Sequence, residues 1–339
     1  MGKTITGSGE LDSGHAKVQG LGRAIKSADA FIQIRTKLPA GAEAPDVLYH
    51  YTSAEGLIGI LQSGEIWATS IRHLSDTSEF TYTLQRAEQA STQNALSEHF
   101  LFETFLLQRF NGDTLLDNTS FFVGSFSAEG NLLSQWRAYC PTGGGYSIGF
   151  KRADLQEQAG KTFGGQYDGE PYRLVRCEYD INRQLDALRD LFEEARRAHE
   201  ERPDEERERI DRYLRGFDEE MPDWLFQYAV EFFKALSTLA PAFKDPAFRE
   251  EAEWRVLSPL VLGVGKQHHF RAGKYCVIPY MKFSLPGRGE SLKVEEIVIG
   301  PTENPNLARG AIKQLCQLCG VPSVTVRYSD IPFRHWDSK

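Results

Sequence analysis

Cysteine is scarce in this chain, which has five cysteines among 339 residues. They are odd in number and scattered, at positions 140, 177, 276, 316 and 319. A domain held together by disulfides is therefore not indicated, and we expect free thiols in a reducing compartment. Cys316 and Cys319 form a Cys-x-x-Cys pair, but no second pair completes four zinc ligands, so no metal cofactor is expected.

Long apolar runs and an excess of positive charge are also missing. No run approaches the roughly 18 apolar residues that a membrane helix needs, and no apolar signal core follows the first charged residues. The sequence therefore predicts a cytoplasmic protein without a membrane span. Because 47 Asp and Glu outnumber 39 Lys and Arg, a chain-wide basic surface for nucleic acid is excluded, whereas a local basic groove is not.

Core-forming residues are plentiful, and their pattern divides the chain. Hydrophobic residues make up 41% of it, with 21 Phe, 13 Tyr and 5 Trp, which is enough for a large packed core. Residues 1–45 are rich in Gly, Ser, Lys and Ala, which predicts a flexible N-terminal arm. Residues 46–330 alternate strand and helix patterns, so we expect a single α+β domain, and residues 331–339 form a tail.

A helical insertion is predicted within this domain at about 180–245. Charges alternate along residues 181–220, and Pro203 interrupts the helical pattern, which is typical of a solvated pair of helices without catalytic residues. A helix with a more apolar face follows over residues 223–239. The insertion is therefore expected to stand apart from any active site.

Local signals predict where two further helices begin or end. Ser53 is a capping residue for a helix over 54–62, and Gly64 is suited to stop it. Asn304 and Pro305 mark the start of a C-terminal helix.

A histidine lies in the middle of the first predicted strand, between Tyr49 and Tyr51. Burying the imidazole of His50 costs free energy unless its ring nitrogens are hydrogen-bonded. His50 is therefore either a core histidine with satisfied nitrogens or a residue that binds a ligand.

Two glutamates come close together in a strand predicted over residues 251–257. Alternation along a strand places Glu251, Glu253 and Arg255 on one face. Adjacent carboxylates repel each other unless a cation or a ligand neutralises them. The pair indicates either an exposed edge strand balanced by Arg249 and Arg255 or a functional site.

A third group combines hydroxyls with aromatic residues. Ser125 and Ser127 alternate on a strand, and the helix that follows carries Arg137 and Tyr139. An arginine beside aromatic rings suits a ligand with a planar ring and a phosphate, although the same residues also serve in ordinary packing.

These segments resemble a widespread bacterial family of uncharacterised proteins. The likeness rests on four motifs, Tyr-His-Tyr-Thr-Ser at 49–53, Ser-Phe-Ser at 125–127, Trp-Arg-Ala-Tyr at 136–139 and Glu-Ala-Glu-Trp-Arg at 251–255. That family in turn resembles a remote branch of the ADP-ribosyltransferase superfamily. The resemblance implies an α+β fold with a split, mostly antiparallel sheet, a helical insertion and a C-terminal strand-helix-strand unit.

The resemblance also implies roles for individual residues. Glu253 corresponds to the catalytic carboxylate, and Glu251 to a residue that orients the acceptor. His50 corresponds to the first-strand histidine that binds the adenosine ribose of NAD. The remaining implied NAD-binding residues are Tyr51, Thr52, Ser125, Ser127, Arg137, Tyr139 and Tyr146, with Tyr139 or Tyr146 stacking on the nicotinamide.

The function implied is NAD-dependent transfer of ADP-ribose to a macromolecule, as in toxins, effectors or defence proteins, with NAD as substrate. Three alternatives stay open: an NAD glycohydrolase with the same site, an RNA phosphotransferase on a related scaffold, and a non-catalytic binding module. The acceptor is left open between protein and nucleic acid, and the oligomeric state is not indicated.

Overall fold

The computed structural model describes residues 45–74, 79–92, 99–108, 119–140, 144–161, 171–321 and 323–332. The N-terminal arm predicted at 1–45 lies outside these ranges except for Pro45. The predicted tail at 331–339 also lies outside them, except for residues 331 and 332.

The described residues form nine α-helices and twelve strands. The helices are Ala54–Ser63 (α1), Glu79–Thr92 (α2), Phe100–Gln108 (α3), Leu133–Tyr139 (α4), Arg152–Lys161 (α5), Ile181–Glu200 (α6), Asp204–Leu214 (α7), Asp223–Leu239 (α8) and Pro305–Leu318 (α9). The strands are Val47–Thr52 (β1), Glu65–Ser70 (β2), Thr119–Ser120 (β3), Phe122–Ser127 (β4), Tyr146–Lys151 (β5), Arg173–Arg176 (β6), Glu253–Leu257 (β7), Val261–Leu262 (β8), His269–Ala272 (β9), Val277–Ser284 (β10), Glu296–Ile299 (β11) and Thr325–Tyr328 (β12). Short 3₁₀ turns cover Ile71–His73, Ala240–Ala242 and Pro246–Glu251.

The chain divides into two compact units. Within the described residues, one unit consists of residues 84–112 and 182–239 and is helical. The other consists of residues 45–83, 113–181 and 240–332 and contains all the strands. None of the described helices is long and apolar enough to cross a membrane.

The helical unit contains the predicted pair of charged helices. The break expected at Pro203 is confirmed, because α6 ends at Glu200 and α7 begins at Asp204. One side of α6 is buried, and its Phe192 ring lies 5.3 Å from the ring of Phe232 on α8. This apolar contact joins the two longer helices of the unit, while the charged side of α6 carries pairs such as Arg189 with Asp186.

The sheet unit is built on one ten-stranded sheet and a separate pair formed by β3 and β8. The strand order of the sheet is β12-β11-β5-β1-β4-β2-β10-β9, with β7 also paired to β4 and β6 paired to β7. Within the described part of the chain, β11 and β12 are parallel, and the other pairs are antiparallel. The expectation of an α+β fold with a mostly antiparallel sheet is therefore confirmed.

The two faces of the sheet differ in chemistry. Paired residues share a face and successive residues alternate, so the strand registers divide the side chains into two sets. One face, the core face, is hydrophobic and includes Leu48, Ile66, Phe126, Ile148, Trp254 and Phe283. Helices α1, α5 and α9 add Leu57, Leu155 and Ile312 to the same core. The opposite face, the polar face, carries Tyr49, Trp67, Ser125, Ser127, Glu253 and Arg255.

The sheet opens along one edge of β4. On its other edge, β4 pairs with β7 from Val123 to Ser127. On the open edge, β2 pairs at Phe122 and Val123, and β1 pairs at Ser127. Among the described residues, Gly124–Phe126 have no ladder partner on this edge. The sheet therefore has a split between β1 and β2, in the middle of β4.

The local signals next to β1 are confirmed. The Ser53 hydroxyl accepts a hydrogen bond from the Gly56 amide at 3.2 Å, and Gly64 ends α1 in the left-handed region with φ of 65°. These two caps fix the ends of α1, which lies between β1 and β2 in sequence.

The strand predicted over residues 251–257 was expected to begin at Glu251, and this start is wrong. Residues 246–251 form a 3₁₀ turn, and β7 begins only at Glu253. The reason is Ala252, whose left-handed φ of 44° interrupts the alternation that the sequence pattern assumed. Glu251 therefore reaches the neighbourhood of Glu253 from a turn and not from the same strand.

Gly130 gives a test of how tightly the loop after β4 packs on β1. A Cβ added there would lie 2.5 Å from the ring of Tyr49. We expect Gly130→Ala to destabilise the protein by about 1–3 kcal/mol, measured by urea unfolding, because the ring has to move. The matched control is Gly59→Ala, at an open position of α1, which should be stabilising by about 0.5–1 kcal/mol. Equal effects of the two substitutions would contradict this packing.

Candidate active site

A small pocket, with a cavity volume of about 60 Å³, lies at the split. Its lining comes from β1, β4, α4 and the turn that leads into β7. The lining residues are Tyr49, His50, Tyr51, Ser125, Phe126, Gln135, Tyr139, Glu251 and Glu253. Residues more than 200 positions apart in sequence thus meet in one concave site, which is the usual form of a small-molecule site.

His50 is paired with Ile148 in the β1–β5 ladder, so it lies on the core face, opposite to Ser125 and Glu253. The ring of His50 reaches the unpaired edge of β4 at the split. Its Nδ1 lies 2.9 Å from the backbone oxygen of Ser125, which the split leaves without a ladder partner on that side. A carbonyl oxygen only accepts, so in the neutral ring Nδ1 carries the proton and Nε2 carries the lone pair. Within the described residues Nε2 has no hydrogen-bond partner, which leaves it able to accept a hydrogen bond from a ligand.

Glu253 is a buried carboxylate held by two cations. Its side chain accepts from Nε and Nη2 of Arg255, both at 2.9 Å, and from Nζ of Lys244 at 2.5 Å. Glu253 and Lys244 are each 5% exposed, and Arg255 is 1% exposed. The backbone N–H of Glu253 also donates to the Tyr179 hydroxyl at 2.9 Å. The position and orientation of this carboxylate are therefore tightly fixed.

Lys244 joins the two glutamates that line the pocket. Its ammonium group also donates to Oε2 of Glu251. The backbone oxygen of Glu251 in turn accepts from the Ser127 hydroxyl at 2.7 Å. Two carboxylates and two cations thus form one network without net charge, and only the carboxylates line the pocket.

The network and the histidine have shifted protonation equilibria. Burial alone would raise the pKa of Glu253, but the charges of Arg255 and Lys244 outweigh burial and lower it to about 2. Burial would lower the pKa of Lys244, and Glu253 instead holds it above its usual value. Burial lowers the pKa of His50, although its hydrogen bond to Ser125 opposes the shift. At neutral pH the pocket therefore combines an ionised Glu253 with a neutral imidazole.

Tyr51 fixes the loop and helix that form another wall of the pocket. Its hydroxyl donates to the Glu129 backbone oxygen at 2.7 Å and accepts from the Leu132 N–H at 3.0 Å. Its ring meets the edge of Trp136 with centroids 4.7 Å apart. These contacts hold α4 so that Gln135 and Tyr139 line the pocket.

The structure brings together six of the ten residues singled out from the sequence: His50, Tyr51, Ser125, Tyr139, Glu251 and Glu253. The other four lie outside the lining. Ser127 is buried and holds the backbone of Glu251. Tyr146 lies on the core face and packs against the hydrophobic core, so Tyr139 is the candidate ring that lines the pocket. Thr52 lies against Gly56 of α1, and Arg137 is exposed on α4.

Sequence reasoning did not find Lys244 or Gln135. Lys244 lies in an irregular segment between two 3₁₀ turns, where no periodicity indicates the direction of a side chain. The signal available was an isolated lysine seven and nine residues before two glutamates that need a cation. Gln135 directly precedes the Trp-Arg-Ala-Tyr motif, and only the orientation of α4 brings it to the pocket.

The described ranges contain no group of three or more His, Cys, Asp or Glu side chains placed to hold a metal ion.

The buried network predicts a specific pH dependence of stability. Because the pKa of Glu253 is lower in the folded than in the unfolded protein, its contribution is complete above about pH 4.5 and is lost as the pH falls towards 2. We expect Glu253→Gln to lower the free energy of unfolding at pH 7 by about 3–5 kcal/mol, since Arg255 and Lys244 lose their partner. The same substitution should flatten the change in stability between pH 5 and 2, measured by urea unfolding across this range.

The control for this prediction is Glu290→Gln, at an exposed carboxylate outside the network. It should keep both the stability and the pH dependence of the original protein. A Glu253→Gln variant whose stability changes with pH as steeply as in the original protein would contradict the assignment.

A protein-family model matches part of the chain, residues 135–256. No curated protein and no solved structure matches the chain significantly. The matched segment runs from Gln135 on α4 to Val256 on β7, so it includes Tyr139, Lys244, Glu251 and Glu253 and excludes β1 with His50. Residues 135–256 match the family described as protein of unknown function, DUF2971.

Proposed function

We propose that this protein cleaves the bond between nicotinamide and ribose in NAD and transfers ADP-ribose to a macromolecular acceptor, on a sheet of the ADP-ribosyltransferase type. The observation that carries the proposal is that His50, Ser125 and Glu253 line one pocket. They come from an early, a middle and a late strand, which are the three positions that the superfamily resemblance implies.

The chemistry of the pocket lining supports a ligand rich in hydrogen-bond donors. Nε2 of His50, the Glu251 carboxylate and the Gln135 side-chain carbonyl are all acceptors. The ribose hydroxyls and the carboxamide NH₂ of the nicotinamide nucleoside are hydrogen-bond donors. Tyr139, which is 41% exposed, offers its ring to the nicotinamide from the wall formed by α4.

The reaction requires stabilisation of positive charge on the sugar. When the C1′–N bond breaks, its electron pair leaves with the nicotinamide nitrogen, which becomes neutral, and positive charge develops on the ribose. The acceptor then bonds to C1′ through a lone pair and loses a proton to solvent or to a nearby base. A carboxylate beside the ribose stabilises this charge, as in glycoside hydrolysis.

The two glutamates suit two different parts of this reaction. Glu253 is fixed by Arg255 and Lys244, and a fixed charge stabilises a transition state better than one that must move into position. Glu251 lies on a turn and has Lys244 on Oε2, while Oε1 has no partner in the described structure. Glu251 is therefore the better candidate to orient the acceptor.

Of the alternatives, an RNA phosphotransferase fits the pocket less well, and an NAD glycohydrolase would use the same pocket. A phosphotransferase acting on RNA needs cations at the reacting phosphate, and the nine lining residues include no Lys or Arg. In NAD the reacting centre is the ribose, which needs no such cation. An NAD glycohydrolase would use the same residues with water as acceptor. The products distinguish it from a transferase.

The proposal is tested by incubating the purified protein with NAD in a bacterial lysate and measuring released nicotinamide and ADP-ribosylated product. We expect Glu253→Gln to lower nicotinamide release about 10²-fold or more, because it removes the main charge opposite the ribose. Glu251→Gln should preserve nicotinamide release and impair transfer. Glu205→Gln, an exposed control on α7, should change neither activity.

Glu253→Gln also leaves two buried cations unpaired, so a second variant is needed if it does not fold. Tyr139→Ala removes a partly exposed ring and should fold, and we expect it to raise KM for NAD about tenfold through lost stacking. Absence of nicotinamide release by the original protein would contradict the proposal. So would a folded Glu253→Gln variant that releases nicotinamide at the original rate.

A further inference from the structure

A column of three aromatic rings crosses the polar face of the sheet. Trp67 on β2 stacks on Tyr280 of β10, with ring centroids 4.4 Å apart and planes 24° apart. Tyr280 in turn stacks on His269 of β9, with centroids 5.4 Å apart and planes 29° apart. The column lies on the face opposite to the main hydrophobic core.

The column ends at Trp67, whose ring is exposed. Tyr280 is buried, whereas 51% of Trp67 is exposed. Tyr280 covers one side of the indole. On the other side, β4 pairs with β2 only at Thr69 and Ser70, so within the described chain no strand lies beside Trp67 there. A fourth flat ring can therefore stack on Trp67.

Positive charge borders the column on both sides. Lys282 is directly opposite Trp67 in the β2–β10 ladder, and its ammonium group is partly exposed. Beyond Tyr280, Arg271 reaches across β10 to donate to the Thr69 hydroxyl at 3.1 Å. The Nε of Arg271 is buried and has no hydrogen-bond partner among the described residues.

The acidic residue beside these cations does not cancel their charge. Glu65 lies 3.4 Å from Lys282 and 2.7 Å from Arg288, so it is shared by two cations. With Arg271 included, three cations oppose one carboxylate among the described residues of this patch. The local charge is positive, although the whole chain has a net charge of −8.

From this combination we infer that Trp67, supported from behind by Tyr280 and His269, forms with Lys282 and Arg271 a binding surface for single-stranded nucleic acid. A nucleic-acid strand presents flat bases flanked by phosphates, and unpaired bases stack on exposed aromatic rings while cations contact the backbone. A sugar or an apolar peptide would use the ring but not the cations. A duplex cannot offer the face of a base to Trp67.

The surface lies on the same face of the sheet as Ser125 and Glu253. If the proposed function holds, a strand bound there is a candidate acceptor for ADP-ribose. Binding itself does not depend on that reaction, so it is measured without NAD.

The experiment measures fluorescence anisotropy of a labelled mixed-sequence oligonucleotide of about 15 nucleotides at low salt, with the full-length protein. We expect the single strand to bind more tightly than the same sequence as a duplex. Trp67→Ala should weaken single-strand binding about tenfold, which is within the range for loss of one stacked base. The control Phe217→Ala removes an exposed ring from the helical unit and should leave binding unchanged.

The salt dependence tests the cations separately. Lys282→Ala should reduce the slope of log K against log salt by about 0.7, as for one phosphate contact on a single strand. Lys313→Ala, at an exposed lysine of α9, should leave the slope unchanged. The inference is overturned if no oligonucleotide binds at low salt, if the duplex binds as tightly as the single strand, or if folded Trp67→Ala binds like the original protein. None of these outcomes contradicts the proposed release of nicotinamide from NAD, because that activity is measured separately.

Discussion

The candidate site depends on the ion-pair network of Glu253, Arg255 and Lys244. A carboxylate that is almost completely buried is tolerable only if its charge is compensated and its oxygens are hydrogen-bonded. Arg255, which lies on the same strand as Glu253, donates two hydrogen bonds to it, and Lys244 donates a third from an irregular segment. Since Lys244 also binds Glu251, the same network fixes the turn that leads into β7, and its two carboxylates line the pocket.

The split in the sheet gives this network a cavity to face. A continuous ladder along β4 would use the backbone oxygen of Ser125 in strand pairing. In the split that oxygen accepts from His50, which fixes the tautomer and leaves Nε2 for a ligand. The unpaired edge of β2 also leaves one side of Trp67 open. A single interruption of strand pairing thus produces both the pocket and the exposed end of the ring column.

Local structure was largely readable from the sequence, because short-range chemistry determines it. Ser53 and Gly64 act as the caps that their residue types predict, and Pro203 separates two helices. The limit appears at Ala252. An alanine gives no sign of a left-handed backbone, so simple alternation was extended two residues too far, to Glu251. Lys244 was missed for a related reason, since no periodicity describes an irregular segment.

The sequence by itself determined the fold class, several helix ends and the residue types of the candidate site, because composition, alternation and capping are local properties. Only the tertiary structure decided which residues meet. It brought Tyr139 on α4 to the pocket, while the register of β5 against β1 left Tyr146 on the core face. It also paired Glu253 with Lys244 and stacked Trp67 on Tyr280. These contacts join distant segments through strand order and register, which local sequence patterns do not specify.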